Sequence, residues 1–377
     1  MRSAIDYILR FLVYGNEEAA NRIGYTADKT QWSRYSVVIV PNGHIGKDWV
    51  YPDLGTPVSE NNIIYTDIVY NTLFFLSRAE ELLNLQRDMH GRFLAEYSVL
   101  GQPNRLQIPL IDEYSRLLMK KIGLPLPEAG FGRICLTHDI DTIAHYRHLR
   151  GAIGGIVRGQ WHNVWASWRN IENDPAYTFP WLMKQDDRLP NAEKIYFVKY
   201  TRGRGLDYPQ YNLSGRDCRR LLALLQSRHA QLGLHSSCYG ILPRSIPYPI
   251  HRSHYLNCSI GQMRQLAAAG VTDDYTMGFP DRAGFRLQTT RPARWIDPET
   301  LEVTPLTMHP LTVMDCTLSN TGYMNLDENE AFFLCERLFD KVRQYHGELV
   351  LLWHNSNIRK DTYHKMLYSK LIGLIEN

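Results

Sequence analysis

The chain has 377 residues, a hydrophobic fraction of 44%, a charged fraction of 21% and a formal net charge of +3. Such a balance describes a globular protein with more than one small core, and excludes a disordered chain or a strongly basic nucleic-acid binder. No run is apolar for long enough to span a membrane, the start lacks the features of a secretory signal, and the six cysteines form no CxxC pair, so a reducing cytoplasm is the expected compartment.

The first third predicts a strand at "SVVIVP" (36–41), a helix at "YTDIVYNTLFFLSRAEELLNL" (65–85) and a second helix at "IDEYSRLLMKKIG" (111–123). The Pro/Gly-rich "LPLPEAGFG" that follows marks a boundary near residue 126. Beyond it, short apolar runs alternate with helical patterns. Strands are expected at 133–138, 194–200, 231–237, 251–256, 270–276, 311–316 and 347–354, with helices at 215–231, 259–270 and 327–345. Strands separated by helices imply βαβ units and a parallel sheet, which can close into a barrel. In that architecture functional groups gather at the carboxyl ends of the strands.

Several predicted strands do end in ionisable residues. "RICLTHDIDT" (133–142) stops at His138, Asp139 and Asp141, and other ends carry His235, Arg252, His254 and His354. One acid at a strand end is a helix cap; four ends with complementary chemistry suggest a site. A carboxylate and neutral imidazoles suit zinc or a similar divalent ion, a second carboxylate suits a base, and an arginine beside it keeps that base ionised. Together with a histidine as proton donor, these are the groups that hydrolyse an amide or ester.

In this order the motifs resemble those of the polysaccharide deacetylase family, carbohydrate esterase family 4, with its NodB-like fold. "THDID" is similar to the family's T-F-D-D-G, "LGLHSSCYG" to H-[ST]-x-x-H, "HRSHYL" to R-x-P-Y, and "LVLLWHN" to the last strand ending in Leu-His. More narrowly, "RSHYL", "GFPDRAGFR" and "LLWHNS" resemble a bacterial subgroup in which such a domain follows an uncharacterised one, and "FFLSRAEE" and "DMHGRF" resemble that preceding domain. The resemblance implies a distorted (β/α) barrel over 126–377 after a smaller α/β domain over 1–125. It also implies removal of acetyl groups from an N- or O-acetylated sugar or glycan, with a divalent metal ion, zinc being expected.

Residue by residue, the resemblance makes Asp139 the base, Asp141 and His235 metal ligands, and Arg252 the partner of the base. Tyr255 would offer a backbone N–H to an oxyanion, and His354 would be the general acid. The chain departs from the pattern twice. Asp141 falls one residue later than the family's second acid, and Tyr239 stands where the second metal histidine is expected. His254, in the Pro position of R-x-P-Y, is the expected replacement ligand, with His138 as the other candidate. However, His138 and its neighbour Asp139 should point to opposite faces of the strand. Tyr239 is expected to contact substrate, and Arg286 either to contact substrate or to brace a loop.

Other histidines carry less. His145 and His148 are helically spaced but have no acid to complete an H-E-x-x-H motif, and His251 and His309 lie beside Pro-containing turns with no evident partner. Cys238 reads as a small packing residue. Two other readings of the chain are a catalytically silent carbohydrate-binding module, suggested by Tyr239, and a glycosyltransferase using Asp139-Ile-Asp141 as a D-x-D motif. The latter leaves His235, Arg252 and His354 without a task.

Overall fold

The computed structural model describes residues 1–102, 104–200, 205–207, 211–359 and 362–376, with the Leu206 side chain also excepted. Two sheets organise it. The smaller joins β1 (Ile23–Tyr25), β2 (Val37–Ile39), β3 (Ser59–Glu60) and β4 (Ile63–Ile64) in the order β1-β2-β4-β3. Helices Arg2–Leu12, Ile68–Ser77 and Leu110–Ile122 pack with it around one apolar core. Every residue of Ile68–Ser77 is buried. Asp67 caps its start by accepting from the Tyr70 N–H at 2.8 Å. The single long helix expected over 65–85 is broken at Arg78, which adopts a left-handed conformation (φ 60°), and resumes at Glu80–Leu83.

The larger sheet contains β5 (Arg133–Ile140), β6 (Glu193–Lys199), β7 (Gln231–Ser236), β8 (Ile250–Ser253) and β9 (Asp273–Asp274). It is completed by β10 (Ala293–Ile296), β11 (Val303–Met308), β12 (Val313–Met314) and β13 (Glu348–Leu352). Its nine strands follow the order β10-β11-β9-β8-β7-β6-β5-β13-β12. All neighbours are parallel except β10 and β11. Among the described residues the two end strands do not pair with each other, so the ladder is open where a complete barrel would close. The expected strands are present, several of them shorter. The run 311–316 yields only Val313–Met314 before a short helix, Asp315–Ser319. The run 251–256 leaves the sheet after Ser253. The antiparallel β10–β11 pair was not anticipated.

The two parts interlock. Phe279, Ala293, Ile296 and Leu301 belong to the same apolar core as residues 4–122. The fully buried Asp112 carboxylate accepts from the Thr289 and Thr290 hydroxyls, the Thr290 N–H and Arg291 Nε. These bonds satisfy a charge that would otherwise be costly to bury.

Candidate functional site

Parallel strands place their carboxyl ends along one edge, and six adjacent strands of the larger sheet each deliver an ionisable group there. In spatial order these are His254 just past β8, His235 on β7, Lys199 on β6, Asp139 on β5 with Asp141 just past it, His354 past β13, and Asp315 past β12. The register sets the levels, since Lys199 lies opposite His235 and His235 opposite Arg252.

Alternation along β5 decides which of its groups join. Asp139 and Asp141, two residues apart, share the site. His138 faces the other way, where its ring nitrogens bond the Trp353 carbonyl at 2.8 Å and Asp186 Oδ2 at 3.0 Å. That buried engagement removes His138 as a ligand candidate and leaves His254.

Asp141 Oδ1 lies 3.8 Å from His235 Nε2 and 3.5 Å from His254 Nε2, and the three donor atoms fall within 4.8 Å of one another. Tetrahedral zinc with bonds of about 2.0–2.1 Å needs ligand atoms about 3.4 Å apart. Both imidazoles are oriented from behind. His235 Nδ1 donates to the Arg252 carbonyl (3.1 Å), and His254 Nδ1 donates to Asp207 Oδ1 (2.6 Å), so each bare Nε2 lone pair turns toward Asp141. Asp207 is held in turn by the Ser237 hydroxyl (2.5 Å) and the Cys238 N–H (3.0 Å). His235 Nε2 is buried and has no hydrogen-bond partner among the described residues. Burial lowers the His235 pKa to about 3, so the ring is neutral, as a ligand must be. This donor set fits a divalent cation. One feature competes with it: Lys199 Nζ lies 2.7 Å from Asp141 Oδ1 and 3.3 Å from His254 Nε2.

Asp139 belongs to a different set of contacts. Its Oδ1 accepts from Arg252 Nη1 at 3.0 Å, while Oδ2 is 3.6 Å from His235 Nε2 and 3.8 Å from His354 Nε2. Arg252 is itself fully buried, with Nε on the Tyr275 carbonyl and its guanidinium over the Phe197 ring. Burial alone would raise the Asp139 pKa. With His235 neutral, the permanent Arg252 charge and the His354 imidazolium hold it below the usual carboxylate range. Asp141 is likewise held low against its burial, chiefly by the Lys199 ammonium.

His354 is the mirror image of Asp139. Burial opposes its charge, but Asp315 Oδ1 sits 2.7 Å from Nδ1 and raises the pKa well above the ordinary imidazole value. Asp315 is fully buried, accepts also from the His354 N–H and from Asn357 Nδ2, and stays ionised with a pKa lowered to about 2. The result is an ionised carboxylate and a protonated imidazole whose nearest atoms, Asp139 Oδ2 and His354 Nε2, are 3.8 Å apart.

Beyond β8 the chain turns through Tyr255 (φ 60°) and Leu256 (φ 54°), two consecutive non-glycine residues in the left-handed region. Asn257 fixes the turn by donating to the Cys238 and His90 carbonyls. The other expectations fare differently. Tyr239 is 61% exposed beside this turn. Arg286 is buried, donating to Glu81 Oε1 and the Gly278 carbonyl at 2.8 Å, so Glu81 rather than the cluster engages its guanidinium. His251 and His309 do have partners: Asp274 and Ser236 for the first, Glu348 and Asp273 for the second. Cys238 is a buried thiol, pushed up to about 12 mainly by burial, as a packing residue should be.

Lys199, Asp207 and Asp315 escaped the sequence reading. Lys199 was legible as the last residue of an apolar run, the same signal that exposed His235. Asp315 likewise sits near the end of the strand expected over 311–316, whereas Asp207 follows no strand pattern.

Residues 12–124 match the model of a family described as a family of unknown function (DUF7033). No curated protein and no solved structure matches the chain.

Proposed function

We propose that the chain is a metal-dependent hydrolase that removes acetyl groups from an N- or O-acetylated carbohydrate, and that the larger sheet is an opened form of the polysaccharide deacetylase barrel. The observation that carries the reading is the opposition of an ionised Asp139 and a protonated His354 beside the Asp141, His235 and His254 donor set. A divalent cation held by those three residues would supply Lewis acidity, polarising the acetyl carbonyl and acidifying a water. Zinc is the ion that two imidazoles and a carboxylate suit best.

The chain's own groups then divide the work. Asp139, kept ionised by Arg252, takes the proton of the attacking water at Oδ2. The Tyr255 backbone N–H stabilises the charge that grows on the carbonyl oxygen. His354 Nε2 gives its proton to the departing amine or alkoxide, and Asp315 keeps that proton in place until it is needed. The exposed Tyr239 offers an aromatic face to a sugar ring beside the site.

A second reading, a carbohydrate-binding module without metal, is favoured by Lys199, whose ammonium supplies Asp141 with a counter-charge at 2.7 Å. One comparison separates the two. In zinc-loaded full-length chain, His354→Ala should abolish hydrolysis of N-acetylated sugar oligomers while largely sparing an aryl acetate, whose leaving group needs no proton. Equal losses on both substrates would give His354 a structural role. A zinc-loaded wild type inactive on both would leave the binding module.

A further inference from the structure

The connection that leaves the Asp141 end of β5 forms a hairpin of two helices, Leu149–Val157 and Trp161–Arg169. Its patterning is inverted. An ordinary surface helix turns its apolar stripe inward. Here the inward face is small: Ala152, Val164 and Tyr146 form a minor cluster, and a Cβ on Gly155 would come within 2.6 Å of Val164 Cγ2. The large apolar residues point out. Leu149, Ile153, Ile156 and Val157 recur at helical spacing on the first helix, and Trp161, Trp165 and Trp168 on the second. Each of these is between 52% and 80% exposed. Large exposed apolar residues concentrated on two neighbouring helices mark an interaction surface.

Charge says what covers it. From Thr142 to Ile171 the sequence contains no Asp or Glu, whereas Arg150, Arg158 and Arg169 are exposed around the stripes. A symmetric pairing of two such hairpins would set arginine against arginine, with no Asp or Glu within either hairpin to pair them. Aliphatic and tryptophan stripes ringed by arginine match the boundary between acyl chains and anionic headgroups, where indole rings settle and cations gain from the surface potential. The hairpin is also firmly mounted. Asp174 accepts from the His145 and Tyr146 N–H groups and from the Ser167 hydroxyl, and Arg147 ties the second helix to Asp217.

We propose that this hairpin docks the protein on the surface of an anionic lipid bilayer, without crossing it. No described helix is long and apolar enough to cross. The inference stands apart from the reaction proposed above, because it concerns binding alone.

Flotation of the full chain with vesicles of phosphatidylcholine, with or without phosphatidylglycerol, tests it. The chain should float with the phosphatidylglycerol vesicles, with a blue shift of its tryptophan emission, and far less with phosphatidylcholine alone. Trp161→Ser with Trp165→Ser should lower the partition coefficient by about tenfold or more, at an unchanged melting temperature. Ile153→Ser with Val157→Ser, on the other helix, should act alike and serves if the tryptophan variant does not fold. Arg150→Gln with Arg158→Gln should remove the preference for phosphatidylglycerol. The proposal is overturned if wild type floats with neither vesicle, or binds both equally and indifferently to these substitutions. It is also overturned if the stripes instead drive self-association that the serine variants abolish.

Discussion

Lys199 Nζ lies 2.7 Å from Asp141 Oδ1 and 3.3 Å from His254 Nε2, so one ammonium touches two of the three atoms that would hold a metal ion. His254 Nε2 has a single lone pair, which cannot serve the Lys199 ammonium and a metal ion at once. On its flexible stem the lysine side chain can swing away when an ion arrives and return to neutralise Asp141 when it leaves.

Removing that competitor should tighten metal binding. Lys199→Met is expected to raise zinc affinity by about tenfold, the equivalent of about 1.4 kcal/mol, read by isothermal titration calorimetry. The same variant should melt earlier than wild type without metal, because Asp141 loses its counter-charge. Unchanged affinity would mean that the lysine yields at no cost.

Asp139→Asn should lower turnover by about 10²–10⁴-fold while the zinc stoichiometry, measured by elemental analysis, stays at the wild-type value. Loss of metal would instead make Asp139 a ligand. In Arg252→Gln, burial is no longer opposed by a permanent charge, so the Asp139 pKa rises. The acidic limb of the pH–rate profile should move to higher pH.

Asp315→Asn tests the proton donor. The folded-state pKa of His354 is raised, so its pairing contributes stability that is complete below the unfolded-state value of about 6.5 and fades as pH rises through the folded value. The Asp315 partner is lowered to about 2. Its share is present above an unfolded-state value of about 3.9 and is lost as pH falls toward the folded one. The melting-temperature gap between wild type and variant should therefore be widest between those two unfolded-state values. The basic limb of the pH–rate profile should shift to lower pH in the variant. A limb that stays put would free His354 of the donor role.

Arg286→Met should act on stability alone. Glu81 loses one of its cations but keeps Arg78 at 2.7 Å, so a cost of about 3 kcal/mol in urea unfolding is expected, at the low end for a broken buried pair. Zinc affinity should not change. A stable variant with weakened sugar binding would return Arg286 to the site.

The site was largely legible because period-two alternation and strand ends are properties of local sequence. Asp139, Asp141, His235 and His354 lie at or just past the end of an apolar run, Arg252 was read from its motif, and the same alternation sent His138 to the opposite face. What escaped depends on tertiary placement. Asp315 lies near the end of the strand expected over 311–316, but its partner His354 is brought to it only by the pairing of β12 with β13. Asp207 reaches His254 from a separate connection between β6 and the next helix. The hairpin after β5 was missed for the reason that makes it notable, since its apolar residues do not face the core.

The sharing of the first core with Phe279, Ala293, Ile296 and Leu301, and the clasp of Thr289, Thr290 and Arg291 on Asp112, bear on how the molecule comes apart. A fragment ending near residue 126 would keep the Asp112 carboxylate while losing every one of those donors, along with an apolar lid for its helices. Removing the strands that close over the first third would therefore expose part of its core and leave a buried charge unpaired, which couples the stability of the two parts.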